Sequence, residues 1–371
     1  MRHFAFPCLL LFCALAATAP AFARPALRVP VDTTEIIERL PRGYAVLTPR
    51  AGRTPAPTVA AAALLLESAA RSGDARLARR AEAMLATFAD IDDAGLLRTR
   101  AFAAQHRHDF VAAIALLDRA IALDPRDGGL RLARAQVALV QGRVRAARKD
   151  CGALAFGVDG GLGLACTAAI ALRTGRHQTA AQLSGQWLAA APAGDGSRVY
   201  VTLLRAEAAA RSGEADAARW FRAAVALDPV DVRTLSAFAR YLVTHGHADA
   251  VRPLLRDAGD SQGIAQLRML AAVAADDDDA GALVEAQAGR FALSRQLGQP
   301  TELRDEAELA LVARGRAADA LALAIRNFHD QRDFEDVRLL QRAAAAAHAP
   351  QSLEPLRTWA RAEGIALADA P

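Results

Sequence analysis

The chain has 371 residues, of which 53% are hydrophobic and 5% aromatic, and its formal net charge is +4 at pH 7. This length is enough for two or three ordinary domains or for one extended repeat array. The small positive charge does not by itself indicate a nucleic-acid partner.

The N-terminal residues have the features of an export signal. Arg2 supplies a positive charge, residues 4–17 form an apolar stretch, and Ala21-Phe22-Ala23 is a small-x-small cleavage site. We predict that residues 1–23 are a signal peptide cleaved after Ala23. The apolar stretch has 14 residues, whereas a membrane-spanning helix needs about 20. We therefore expect a mature protein that does not span a membrane.

The amino-acid usage indicates a bacterial source. The chain contains one lysine, Lys149, and one asparagine, Asn327, but many arginines and alanines. This bias is typical of GC-rich bacterial genomes. Together with the export signal, it predicts a periplasmic or secreted protein.

Residues 24–57 are rich in proline, which interrupts helices because it lacks a backbone N–H group. The six prolines are Pro25, Pro30, Pro41, Pro49, Pro55 and Pro57. We predict an extended N-terminal arm, with room for one short helix over residues 33–40. Later prolines are sparse, and three of them, Pro125, Pro192 and Pro229, follow predicted helix pairs.

A helix-turn-helix unit recurs at a spacing near 34 residues from Thr58 onward. Its clearest copy is Phe102 to Pro125, FAAQHRHDFVAAIALLDRAIALDP. Apolar residues three and four apart make each predicted helix amphipathic. Small residues where two helices cross allow their axes to approach to about 8–10 Å. This period is typical of stacked helical arrays.

The pattern resembles the tetratricopeptide repeat (TPR), in which small or apolar residues stand at fixed distances from a turn residue. The copy turning at His108 has Ala101, Ala113, Leu117, Ala120 and Pro125 at these positions. Further copies turn at Gly142, Gly175, Gly213 and Gly246, and weaker ones at Gly73 and Gly315. The resemblance implies an all-α solenoid of stacked antiparallel helix pairs that forms a right-handed superhelix. It places TPR-like repeats over residues 58–262, and degenerate repeats with a C-terminal tail over residues 263–371.

The resemblance also implies a concave groove lined by the first helix of each pair. The residues at the groove positions are Arg98, Phe102, Gln105, His106, Leu132, Gln136, Leu172, Arg173, Leu203, Glu207, Arg211 and Arg240. Such a groove would bind a peptide segment or a helix of another exported or membrane protein. The function predicted in this way is that of a scaffold or adaptor.

A second class of function follows from the charge distribution. Residues 126–150 contain seven cations and two acids, a net charge of +5, whereas residues 274–308 have a net charge of −6. Arginine donates paired hydrogen bonds to anionic groups. The basic stretch 126–149 could therefore bind an anionic polymer or a lipid headgroup instead.

Sites of chemistry are not evident. No catalytic motif is found, so we expect no enzymatic activity and no cofactor. We also expect no nucleic-acid partner and no small-molecule ligand. The histidines and acids on two turns, at residues 106–109 and 245–249, are expected to be solvated rather than to bind metal. Cys151 and Cys166 remain after signal removal. The sequence leaves open whether they form a disulfide or two buried thiols.

Overall fold

The computed structural model describes residues 55–298 and 301–367. The predicted signal peptide and residues 24–54 of the predicted arm lie outside the described residues. Within the described ranges, every regular element is helical, so the predicted all-α class is confirmed. None of these helices combines the length and apolar character that a bilayer crossing requires.

The helices follow one another as consecutive pairs. The first five pairs are α1 Pro55–Ser72 with α2 Ala75–Ala86, α3 Ala94–His106 with α4 Phe110–Leu123, α5 Gly128–Val140 with α6 Val144–Ala153, α7 Gly160–Arg173 with α8 His177–Ala190, and α9 Arg198–Ser212 with α10 Ala217–Leu227. The later helices are α11 Val232–Thr244, α12 Val251–Leu254, α13 Gln262–Ala275, α14 Ala280–Gln296, α15 Leu303–Glu308, α16 Ala317–Asp330, α17 Phe334–Ala346 and α18 Glu354–Glu363. Single π-helical turns, Leu154–Val158 and Leu309–Ala313, extend α6 and α15.

Helix α1 begins inside the segment for which the sequence predicts an extended arm. Its first and third residues are Pro55 and Pro57. Proline is tolerated there because the N–H groups of the first turn have no partner within the helix. Several later helices begin at an aspartate whose carboxylate accepts a backbone N–H, as Asp93 does from Leu96 at 2.9 Å.

The predicted turn residues take the backbone conformation that a tight helix-helix turn requires. Their φ angles are positive, from +59° at Gly315 to +78° at Gly175, with +61° at His108. Positive φ is costly for most L-residues and free for glycine. Asp276 and His348 have positive φ as well and turn α13 into α14 and α17 toward α18.

First helices of neighbouring pairs contact one another in most of the array: α1 contacts α3, α5 contacts α7, α7 contacts α9, α9 contacts α11, and α11 contacts α13. We call α1, α3, α5, α7, α9, α11 and α13 the inner helices. Small residues line the crossings between the helices of a pair, and Ala101, Ala113 and Ala120 are almost completely buried between α3 and α4. Such residues let the backbones approach closely.

The later part of the array returns to contact the turn ends of the earlier pairs. Arg71, at the end of α1, donates two hydrogen bonds to Asp228 at 2.8 and 3.0 Å. The Gln331 amide lies 2.8 Å from Nδ1 of His108, in the α3–α4 turn. The backbone N–H of Arg332 donates to the Val140 carbonyl at 2.8 Å, which satisfies an unpaired group at the end of α5.

Helix α18 completes these contacts on the turn between α5 and α6. The Trp359 indole Nε1–H donates to the Gly142 carbonyl oxygen at 2.9 Å. The Glu363 carboxylate accepts the backbone N–H of Arg145 at 2.8 Å and caps α6, whose own N-cap side chain makes no such bond. We refer to this set of bonds as the return contacts.

We expect Gly142→Ala to destabilise the protein more than Gly246→Ala. The two glycines have similar φ angles, +70° and +76°, so each alanine should cost about 1–2 kcal/mol for its left-handed backbone. Only at Gly142 would the new Cβ lie 2.6 Å from the Trp359 ring, since nothing lies within 4 Å at Gly246. Urea unfolding of both variants measures the difference. Equal losses of unfolding free energy in the two variants would contradict a close contact between Gly142 and Trp359. A difference that persists in a Trp359→Ala background would contradict it as well.

The structure joins Cys151 of α6 to Cys166 of α7 in a disulfide with a sequence separation of 15 residues. The bond links the second helix of one pair to the first helix of the next.

Reduction of this disulfide should lower the free energy of unfolding by about 3 kcal/mol, because the crosslink restricts the unfolded chain. In protein beginning at Arg24 these are the two remaining cysteines. Thiol titration of denatured, unreduced protein should find no reactive thiol. Finding two would show that the bridge does not form, and unfolding with and without reductant measures its contribution to stability.

Candidate functional site

A cavity of about 270 Å³ lies where the ends of three inner helices meet the last helix pair. Leu139 of α5, Leu172 of α7 and Arg211 of α9 line one side. The other side is formed by the start of α17, by Trp359 of α18 and by residues 365–367. The cavity exists because the return contacts hold α17 and α18 over the turns of the earlier pairs.

Apolar side chains form most of the cavity wall. They are Leu139, Val144, Leu172, Phe334, Val337, Trp359, Ile365, Ala366 and Leu367. Helix α17 places Phe334 and Val337 on one face, three residues apart. Its N-cap residue is Asp333, whose side chain accepts the N–H groups of Glu335 and Asp336 at 2.9 and 3.1 Å.

The charged lining of the cavity is predominantly basic. Arg173, Arg211, Arg332 and Arg338 line it together with His177, and Asp333 is the acidic residue among the lining. Arg332 donates to the carbonyls of Phe328, His329 and Gln141 at 2.8, 3.2 and 3.5 Å. These carbonyls satisfy its hydrogen bonds without neutralising its charge.

Arg211 is the most enclosed cation of this set. Its guanidinium lies 3.9 Å from the centroid of the Phe334 ring, and Nη2 lies 3.7 Å from Oε2 of Glu207. Its Nη1 is buried and has no hydrogen-bond partner among the described residues. Loss of hydration lowers the pKa of Arg211, and Glu207 opposes this shift. The pKa of His177 is lowered by burial and then by the charge of Arg211.

A buried ionic network supports the cavity from the side of α15 and α17. Arg240 of α11 binds Glu308 of α15, with Nη2 to Oε2 at 3.0 Å, and lies 3.6 Å from Asp305. Arg304 lies 3.1 Å from Asp333 and 3.5 Å from Asp336. The network therefore fixes the start of α17, where Phe334 faces the cavity.

Two carboxyls of this network have strongly raised pKa values. Burial, followed by repulsion from Glu308, raises the pKa of Asp305 to about 7. Burial and repulsion from Asp333 raise the pKa of Asp336 to about 7. The two pairs are Asp305 with Glu308 and Asp336 with Asp333. In each pair one carboxyl holds a proton more strongly, since two charged carboxylates repel at close range.

The predicted groove residues all lie on inner helices, but they differ in exposure. Arg98, Phe102, Gln105, Leu132, Gln136, Arg173, Glu207, Arg211 and Arg240 are partly exposed, His106 is exposed, and Leu172 and Leu203 are buried. Three of the twelve, Leu172, Arg173 and Arg211, come together at the cavity. Leu203 packs in the core beside Phe221 and Leu235, and Arg240 belongs to the ionic network.

The basic stretch contains two residues with a structural role. Arg134 binds Asp150 at 2.8 and 2.6 Å and Asp118 at 2.6 Å, and Arg131 lies 3.8 Å from Asp150. These contacts brace α5 against α6. The exposed cations of the stretch are Arg126, Arg143, Arg145, Arg148 and Lys149.

The turn histidines and the acidic stretch are also engaged in contacts within the chain. His108 contacts Gln331, and its Nε2 lies 3.6 Å from Glu302. Asp277 and Asp279 bind Arg252 at 2.9 and 3.0 Å. Within residues 55–298 and 301–367, no group of three or more His, Cys, Asp or Glu side chains is placed to hold a metal ion.

The cavity residues from the C-terminal part were not predicted from the sequence. Phe334, Arg338 and Trp359 are separated from Arg173 and Arg211 by more than 100 positions. No spacing pattern connects residues so far apart. The signal that the sequence did contain is the presence of two aromatic residues, Phe334 and Trp359, in the last helix pair.

Comparison with known proteins identifies the fold. No protein-family model and no curated protein matches the chain. Among solved structures, the human IFIT1 dimer with PPP-AAAA aligns at a TM-score of 0.52 and 15% identity, over 84% of this chain and 73% of that one. Cut9–Hcn1 of the APC/C aligns at 0.55 and 12% identity, over 84% of this chain and 63% of that one. The chain has a TPR-like fold.

This similarity concerns the fold alone, because the identities are low. The chain spans less than two thirds of the Cut9–Hcn1 chain that it matches. The human IFIT1 dimer with m7Gppp-AAAA gives a similar result, with a TM-score of 0.51 and 14% identity over 84% of this chain and 72% of that one. The TPR-like repeat seen in the turn residues and the structural similarity therefore agree.

Replacing Asp305 by Asn should reduce the pH dependence of stability. Because the pKa of Asp305 is raised from 3.8 to about 7 in the folded state, the wild-type free energy of unfolding should fall as pH rises between about 4 and 7. The slope from this group is at most about 1.4 kcal/mol per pH unit. Urea unfolding at pH 5 and pH 8 should show a smaller difference for Asp305→Asn. An unchanged difference would show that Asp305 does not titrate in this range.

Proposed function

We propose that this protein is a non-enzymatic periplasmic scaffold that binds a peptide segment or helix of another exported or membrane protein. The observation that carries the proposal is the partly exposed surface of α3 and α5 at the predicted groove positions. Gln105 and Gln136 lie there without a side-chain hydrogen bond among the described residues. Their amides can donate to and accept from the backbone of an extended segment.

The same surface combines apolar and charged groups. Phe102 and Leu132 are half-buried, and Arg98 remains 43% exposed beside Asp127. Apolar contacts with a few directed polar groups suit recognition of a peptide or an amphipathic helix. Farther along the array, Leu203 and Arg240 are used within the fold. The proposed binding surface is therefore limited to α3 and α5.

The structural neighbours do not decide between classes of partner. One is described as a dimer with PPP-AAAA, and the other as a hetero-tetramer of Cut9 and Hcn1. A fold of this type serves different ligands. The proposal therefore rests on the residues of this chain.

The second candidate is binding of an anionic polymer or lipid headgroup. The exposed cations Arg143, Arg145, Arg148 and Lys149 on and beside α6 favour it, because no ion pair engages their side chains in the described part of the chain. Such binding would weaken steeply as salt screens the charges. Binding through α3 and α5 would depend less on salt.

Site-specific photo-cross-linking in an exporting bacterium tests the scaffold role. A photoreactive residue at Gln136 should trap a discrete polypeptide partner. The same residue at Val111 of α4, which is 77% exposed, is the control and should not trap it. The adduct should survive moderate salt and should also form when Arg143, Arg145 and Arg148 are replaced by alanine. Identical adducts from both positions, or loss of the adduct in the triple variant, would contradict groove binding.

A further inference from the structure

The cavity contains a cation whose charge the fold leaves incompletely compensated. Arg211 has a buried Nη1 without a hydrogen-bond partner among the described residues, and its nearest carboxylate oxygen, on Glu207, is 3.7 Å away. An enclosed guanidinium with an unused donor is costly unless an anion reaches it. The Phe334 ring covers one face of the guanidinium but cannot accept an in-plane hydrogen bond.

Charges of both signs surround Arg211, since Glu335 and Asp333 join Glu207 in acting favourably on its charge. The charge of Arg173 acts unfavourably on Arg211, and the charge of Arg211 acts unfavourably on His177. Asp333, the acid in the lining, is engaged by Arg304 at 3.1 Å. Arg338 also lines the cavity and stacks near Phe334, with its guanidinium carbon 5.6 Å from the ring centroid. A bound anion would therefore be stabilised by several cations.

The remaining wall suits an apolar molecule. Leu139, Leu172, Val337 and Trp359 present hydrocarbon or aromatic surface to a space of about 270 Å³. Cavities with apolar walls and a few directed polar groups are typical of small-ligand sites. Water gains little in the apolar part because it finds few partners there.

We propose that this cavity binds an amphipathic carboxylate, with the carboxylate against Arg211 and Arg173 and the apolar chain against Leu139, Leu172 and Val337. A carboxylate accepts charge-assisted hydrogen bonds from guanidinium groups, and these are shorter and stronger than bonds between neutral groups. The site is a small-molecule site, whereas the sequence analysis expected no small-molecule ligand. It goes beyond the scaffold role and does not depend on it.

The chain length of the ligand should control affinity. Each methylene that enters the apolar part should strengthen binding about fourfold, until the cavity is filled. Octanoate, decanoate and dodecanoate, kept below their micelle concentrations, are the probes. Decanol supplies the same apolar chain without the charge.

Titration calorimetry of the mature full-length protein tests the proposal. We expect saturable binding of one decanoate per chain and at least tenfold weaker binding of decanol. Arg211→Gln should weaken decanoate binding at least tenfold and leave decanol binding unchanged. Arg222→Gln, which replaces an exposed arginine of α10 away from the cavity, is the matched control and should bind decanoate as the wild type does.

Further variants separate binding from folding. Val337→Phe should reduce binding of both decanoate and decanol, because the larger ring occupies the apolar part. If Arg211→Gln does not fold, Arg173→Gln provides the same test at the second cation that contacts the carboxylate in this proposal. Absence of saturable decanoate binding, equal affinities for decanoate and decanol, or unchanged decanoate binding in the folded arginine variants would each overturn the proposal. None of these results would affect cross-linking from Gln136, so the two proposals fail separately.

Discussion

The arrangement of the last helix pair depends on the hydrogen bond from the Trp359 indole to the Gly142 carbonyl. A turn that ends one helix and begins the next exposes a backbone carbonyl, and glycine leaves space beside it for an indole ring. Gly142 is thus required both for its positive φ and for the approach of Trp359. With α18 anchored there, α17 is brought over the ends of α5, α7 and α9, and the cavity is enclosed.

Electrostatics and packing share the task of positioning α17. The ionic network around Arg304 and Arg240 holds the first turn of α17. The apolar face of α17, with Phe334 and Val337, forms part of the cavity wall. A buried network of this kind contributes little net stability but strongly disfavours arrangements in which one charge is left alone. It therefore fixes the register of the last pairs against α11 and α13.

Local features of the fold were predictable from the sequence, and distant contacts were not. His108, Gly142 and Gly175 were identified as turn residues because a tight turn favours glycine or a short polar residue and small neighbours pack the crossing. Asp276 and His348 adopt the same positive φ without being glycine. The repeat register after residue 263 was therefore harder to predict, because the glycine that usually marks a turn is missing there. Arg131 and Arg134 were included in the basic stretch 126–149 because charge patterns do not reveal that Asp150 is buried beside them. The cavity was missed because its two sides come from segments far apart in the chain.

The contact between Trp359 and Gly142 spans 217 positions. In most stacked arrays each unit touches its neighbours alone, and folding can spread from any starting point. Here we expect the closing bonds to form late in folding, because the intervening helices must assemble before the two parts of the array can meet. Folding would then be directional at its end, with the last pair docking late and the cavity present only in chains that have completed this step.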